Sequence, residues 1–181
     1  MDASLLITKL NLPQSRPNLV SRPRLIDKLD SSLHCKLILI SAPAGFGKTT
    51  LAAEWLRQSD REIAWLALDK GDSDPVRFMF YFITALQQLV PEFGQQTQAM
   101  LAEPGAAASE MTLTSLLNEI ADIPNPFTLA LDDYHVIEAL QVHQLLAFII
   151  EHQPNQMQLL LITREDPPLH VARLRTRDQV I

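Results

Sequence analysis

The chain has 181 residues, a formal net charge of −6, 47% apolar and 20% charged residues. That suits one sizeable α/β domain and excludes both wholesale disorder and two full domains. The negative balance gives no electrostatic footprint for DNA or for an anionic membrane surface, so neither is expected as a direct partner of these residues.

In chain order, Met1 to Lys9 lack the basic start and apolar run of a signal peptide. No apolar run approaches the ~20 residues of a membrane span. Cys35 is the only cysteine, which rules out an intrachain disulfide and suits a core filler in a reducing compartment. A cytoplasmic location follows as the expectation. A short helix is expected over Pro23–Leu33.

Beyond it, apolar runs at Lys36–Ser41, Ile63–Leu68, Phe127–Leu131 and Met157–Thr163 alternate with helical stretches. The runs are aliphatic without strict alternation, as in strands buried on both faces of a parallel sheet. Helices are expected over Lys48–Gln58, Pro75–Val90 (with Asp74 as N-cap), Thr112–Asp122 and Glu138–His152. Pro91–Ser109, rich in Gly, Ala and Pro, reads as a loop. Apolar residues occupy nearly every side of Val76–Val90, so that helix is either deeply buried or covered by another domain. Val180-Ile181 looks like the opening of a fifth strand.

The chemistry centres on Ala42-Pro43-Ala44-Gly45-Phe46-Gly47-Lys48-Thr49-Thr50, between a strand and a helix. It follows the phosphate-loop pattern G-x-x-x-x-G-K-[ST], with Ala42 in place of the first glycine. Gly45 and Gly47 let successive N–H groups converge on a phosphate, and the helix start adds its positive dipole end. Lys48 supplies a mobile cation for phosphate oxygens, and Thr49 a hydroxyl for Mg²⁺. ATP, or another nucleoside triphosphate, with Mg²⁺ is the expected ligand.

Phe127–Leu131 ends in Asp132-Asp133. Two carboxylates at the end of a buried strand are costly unless a positive group faces them. Asp132 is expected to hold the metal with Thr49, and Asp133 to orient or deprotonate the attacking water. The alternative is an acidic N-cap for the following helix. Asp rather than Glu at 133 has a shorter reach, so slow hydrolysis is expected. Met157–Thr163 would lie between the phosphate-loop strand and the acidic strand, with Arg164 placed to sense the γ-phosphate; the alternative is a surface arginine after a strand. His34, His135, His143, His152 and His170 show no ligand spacing, so no transition metal is expected.

The ordered set Leu19–Leu25, Ser41–Leu51, Trp65–Asp69 with Gly71-Asp72, Leu131–His135, Thr163-Arg164 with Asp166–Pro168, and Ala172–Arg175 resembles MalT-type regulators. These are STAND-class signal-transduction ATPases among the LuxR-type transcription activators. The resemblance implies a P-loop NTPase fold: three α/β/α layers around a parallel sheet of about five strands, of the additional-strand type. Residues 1–35 would flank the nucleotide and 36–181 form the core. It also implies that Val20 and Arg22 lie by the adenine, that Gly45 to Thr49, Lys48 among them, hold the phosphates, Asp132 the metal and Arg164 the γ-phosphate, and that ATP and inducer together switch a resting monomer to an oligomer that hydrolysis to ADP resets. Further domains of the parent regulator are implied for sensing an inducer and reading DNA. Arg173, Arg175 and Arg177 read as a solvated basic face, with an arginine reaching a neighbouring subunit as the alternative. Asp69–Asp74 fits the family without an assignable role. Two other readings stay open: a free-standing NTPase or kinase, and an interaction module docking through an exposed Phe78–Val90 surface.

Overall fold

The computed structural model describes residues 5–14, 20–103 and 105–169. The four apolar runs form one parallel sheet. Its strands are β1 (Leu37–Ser41), β2 (Glu62–Ala67), β3 (Phe127–Asp132) and β4 (Met157–Thr163), in the order β1-β4-β3-β2. β4 therefore lies between the phosphate-loop strand and the acidic strand. Its register sets Ser41 opposite Thr163, while Ala67 on β2 stands opposite Asp132. These polar tips gather at one edge of the layer, where strand carboxyl ends leave room for a ligand.

Every residue of β3 and β4 is buried, because helices cover both faces. Alternate side chains feed two cores. Leu37, Leu66, Leu129, Leu131, Leu159 and Leu161 join one core, with α3 (Pro75–Leu86), α5 (Glu110–Ala121) and α6 (Leu140–His152). Ile38, Trp65, Ala130, Leu160 and Ile162 join the other, with α1 (Pro23–Asp30) and α2 (Lys48–Gln58). The result is a three-layer α/β/α sandwich. The expected fifth strand at Val180-Ile181, and Arg173, Arg175 and Arg177, lie outside the described residues.

Helix starts follow their caps. Asp74 accepts from Arg77 N at 2.8 Å, with Pro75 first in α3, and Ser109 accepts from Thr112 N ahead of α5. Several boundaries differ from expectation. α1 stops at Asp30 and α3 at Leu86, where tighter turns carry the chain on. α5 starts two residues early, at its Ser109 cap. A 3₁₀ turn, Tyr134–Val136, precedes α6, which begins at Leu140. Residues 91–109 are not simply a loop, since they contain α4 (Gln95–Met100) and a 3₁₀ turn at Ala106–Ala108. The α4 N-terminus is capped from α5: Glu119 accepts from Gly94 N and Thr97 N. A local propensity reading cannot see that distant cap.

The apolar helix α3 is buried rather than exposed. Phe78, Met79, Phe82, Ile83, Ala85 and Leu86 have no exposure at all, so the docking reading built on an exposed Phe78–Val90 surface is withdrawn. The N-terminal segment also joins the fold. Leu10 enters the first core while Leu12 packs on the second, so this segment rounds the β2 edge of the sheet. An otherwise open strand edge is thereby covered. No helix among the described residues is long and apolar enough to cross a membrane.

Candidate nucleotide site

The phosphate loop leaves β1 at Ser41. Ala42 N donates to Thr163 O at 3.3 Å, tying the loop's entry to β4. Pro43, Ala44, Gly45 and Phe46 are exposed. Gly45 and Gly47 have φ of 82° and 75°, left-handed values that a side chain disfavours by about 1–2 kcal/mol. Gly47 is the N-cap of α2, and no side chain caps that helix. The first-turn amides of Lys48, Thr49 and Thr50 have no intrahelical acceptor, which suits an anion.

The two polar motifs meet. Thr49 Oγ1 donates to Asp132 Oδ1 at 3.0 Å, and Asp133 N donates to the same oxygen at 3.0 Å. Asp132 is only 4% exposed. Burial, and then the neighbouring Asp133 charge, push its carboxyl up to about 6 despite the donors and the Lys48 ammonium. Lys48 is buried as well and turns its Nζ back to Pro43 O at 3.1 Å. Asp133 is the one non-glycine with positive φ (57°) among the described residues. Its side chain caps nothing, against the N-cap alternative.

Arg22 also reaches the loop. Its Nη1 donates to Phe46 O at 2.9 Å, and Ser21 Oγ donates to Glu54 of α2. A cavity of about 300 Å³ opens beside Arg22 and Lys48, walled by Leu25, Leu29, Ile38, Ile40, Phe46 and Leu51. Val20 is 81% exposed and lies outside that lining. Arg164 follows the buried tip Thr163, whose hydroxyl donates to Glu165 O at 2.9 Å.

His135 belongs to this cluster, which its spacing in sequence gave no reason to expect. The left-handed turn at Asp133 sends Tyr134 inward, where its hydroxyl meets His143 Nδ1 at 2.8 Å. Burial raises the Tyr134 pKa. His135 then faces the other way. Its Nδ1 is buried with no hydrogen-bond partner, 3.9 Å from Asp133 Oδ1. Burial, then the Arg164 charge, lower its pKa, with Lys48 adding to the effect. The imidazole therefore feels the loop, the acidic strand and the β4 tip together.

These residues fit a magnesium nucleotide. A buried carboxylate with a raised pKa lacks a cation, a hydroxyl beside it has lone pairs to offer, and the orphaned imidazole nitrogen lacks a partner. An uncapped helix start and a retracted lysine accompany them. Fold and site together define a P-loop NTPase.

The chain matches the AAA ATPase domain family over residues 18–162 and belongs to that family. It is 36% identical over 177 residues to the HTH-type transcriptional regulator MalT of Klebsiella pneumoniae, and 37% identical over 177 residues to that of Serratia proteamaculans. The regulator of the same name from Yersinia enterocolitica is 36% identical over 178 residues. Each alignment covers 98% of this chain and 20% of the relative, so the chain spans about a fifth of those proteins' length. It is similar to their ATPase region, which disfavours the free-standing NTPase or kinase reading.

Proposed function

We propose that this chain binds ATP with Mg²⁺, hydrolyses it slowly, and serves as the nucleotide switch of a MalT-like regulator. The observation that carries this reading is the 3.0 Å hydrogen bond between Thr49 and Asp132, which joins the phosphate loop to the acidic strand.

The residues divide the work. Ala42 to Thr50 wrap the phosphates with main-chain amides, and Lys48 swings from Pro43 O to their oxygens. Bound Mg²⁺, held by Thr49 and Asp132, would neutralise charge on the triphosphate. Asp133 orients the attacking water and accepts its proton, and His135 offers its unpaired nitrogen beside that position. Arg164 reads the γ-phosphate from the β4 tip. Val20 and Arg22 flank the base, with the cavity beside Phe46 as its seat. Binding of ATP favours self-association, and hydrolysis to ADP resets the switch. Further domains of a longer cytoplasmic protein sense an inducer, as the MalT-type resemblance implies, and read DNA, as the relatives' name suggests.

A fluorescent ATP analogue tests the site. Binding should require Mg²⁺ and disappear in Lys48→Ala, while Asp133→Asn should still bind but turn over at least tenfold more slowly. Unchanged binding by the lysine variant would remove the assignment. Rapid steady-state phosphate release by the wild-type chain would favour an enzyme over a switch.

A further inference from the structure

The chain's charge is unevenly distributed. From Phe78 to Thr163 there is no lysine or arginine, while nine aspartates and glutamates fall in the same stretch. That stretch builds α4, α5 and α6 and α3 beyond Arg77, so the two helices that line the groove, α4 and α5, carry no lysine or arginine. Between α4 and α5 runs a groove of about 730 Å³. It continues past Asp122 into a smaller one of about 210 Å³ beside Glu92 and Phe93.

The groove combines two chemistries. Met100 and Met111 supply an apolar floor, and Met111 is 74% exposed. Glu92, Glu110 and Asp122 supply exposed carboxylates around it. Glu119, also in the lining, already spends its oxygens on the start of α4. Along α5, Glu110, Thr114, Asn118 and Asp122 recur at four-residue spacing, one contact row on one side of the helix. Twelve residues of α5 make that row about 18 Å long.

We propose that this groove docks a basic amphipathic helix from another polypeptide segment. The floor asks for apolar side chains, and thioether surfaces adapt to varied shapes. The rim asks for lysine or arginine, since no cation in the lining answers its carboxylates. The same charge excludes nucleic acid and works against a symmetric dimer through this face, which would set carboxylates against carboxylates. The proposal is independent of the nucleotide site, at the carboxyl ends of the strands.

A labelled 18-residue peptide, leucine on one helical face and lysine or arginine on the other, probes the groove by fluorescence anisotropy with the whole chain. Binding should weaken at least tenfold in Glu110→Gln/Asp122→Asn, and separately in Met111→Ser. It should fall as salt is raised, while both variants bind the ATP analogue like wild type. Three results would each overturn the proposal: a scrambled peptide of equal composition binding as tightly, both variants binding the peptide unchanged, or a concentration-dependent dimer that Met111→Ser abolishes.

Discussion

Thr49 Oγ1 sits 3.0 Å from Asp132 Oδ1 as a donor, linking the first turn of α2 to the end of β3. The hydroxyl can keep that role when a cation arrives, because donating its proton to the carboxylate leaves its lone pairs free for the metal. Thr49→Ser should therefore keep Mg²⁺-dependent nucleotide binding. Thr49→Val, similar in shape but without the hydroxyl, should lose at least tenfold of it. Affinity in the presence of a chelator should stay the same in both. Titration of the ATP analogue with and without Mg²⁺ checks this, and equal loss under both conditions would mean that the valine simply damages the loop.

The raised pKa of Asp132 has a consequence for stability. A carboxyl that titrates near 6 when folded, against 3.8 as its ordinary value, holds its proton more tightly in the native state. Its protonation adds stability that is fully present below pH 3.8 and lost as pH rises through about 6. Asp132→Asn escapes that loss. In the absence of nucleotide and metal, the variant should gain on the wild type across this window, approaching about 3 kcal/mol at neutral pH. Urea unfolding of both proteins between pH 4 and 7.5 measures the difference. A flat difference, or one that shrinks with rising pH, would contradict the assignment of cause.

Much of this was legible because buried parallel strands announce themselves as aliphatic runs, and a phosphate loop has few residue choices. β4 matched its expected bounds to the residue, and Ser41, Thr163 and Asp132 met at one end as their strands required. What escaped depends on distant partners. Nothing near Gln95 shows that a carboxylate from Glu119 will start a helix there. The position of His135 beside the acidic strand follows the left-handed turn at Asp133, which aspartate tolerates but does not announce. Asp69–Asp74 was opaque because its main cationic partner, Lys9, lies sixty residues away along the chain.

Gly94 offers a test of the fold apart from the site. Its φ is +79°, and a Cβ there would stand 2.2 Å from Ile83 Cγ2 of the buried helix α3. Both strain and overlap oppose a side chain, and Ile83 has no exposure through which to move away. Gly94→Ala should cost about 2–4 kcal/mol by denaturant titration. Gly105→Ala, with a similar φ of +76° but open space around it, isolates the backbone term and should cost about 1–2 kcal/mol. Equal losses at the two positions would remove the steric argument.

The largest unpaired-charge penalty should come from the Lys9 cluster. Asp72 is completely buried and accepts from Lys9 Nζ, from Arg77 Nε at 3.1 Å and from Asp69 N at 2.8 Å. Lys9 is itself 7% exposed and lies 4.1 Å from the centre of the Tyr81 ring. Removing one buried partner leaves the other charge with a single, half-exposed counter-charge, Arg77 for Asp72 or Asp69 for Lys9. That should cost somewhat less than the ~3–5 kcal/mol of a fully unpaired buried charge, and removing both should cost less than the sum. Lys9→Met and Asp72→Asn should each destabilise strongly. The double variant should fall short of additivity by about 2 kcal/mol or more, the signature of direct coupling. Asp69 is a useful contrast. Despite its burial cost, the Lys9 hydrogen bond helps hold its pKa below the ordinary value. Its side chain is nonetheless 50% exposed, so water screens the pair and Asp69→Asn should cost about 1 kcal/mol or less. High salt should diminish the Asp69 effect and leave the Lys9–Asp72 coupling nearly intact. Additive losses for Lys9 and Asp72, or a coupling that salt abolishes, would show that the N-terminal segment is held by its apolar contacts, Leu10 foremost, rather than by the buried ion pair.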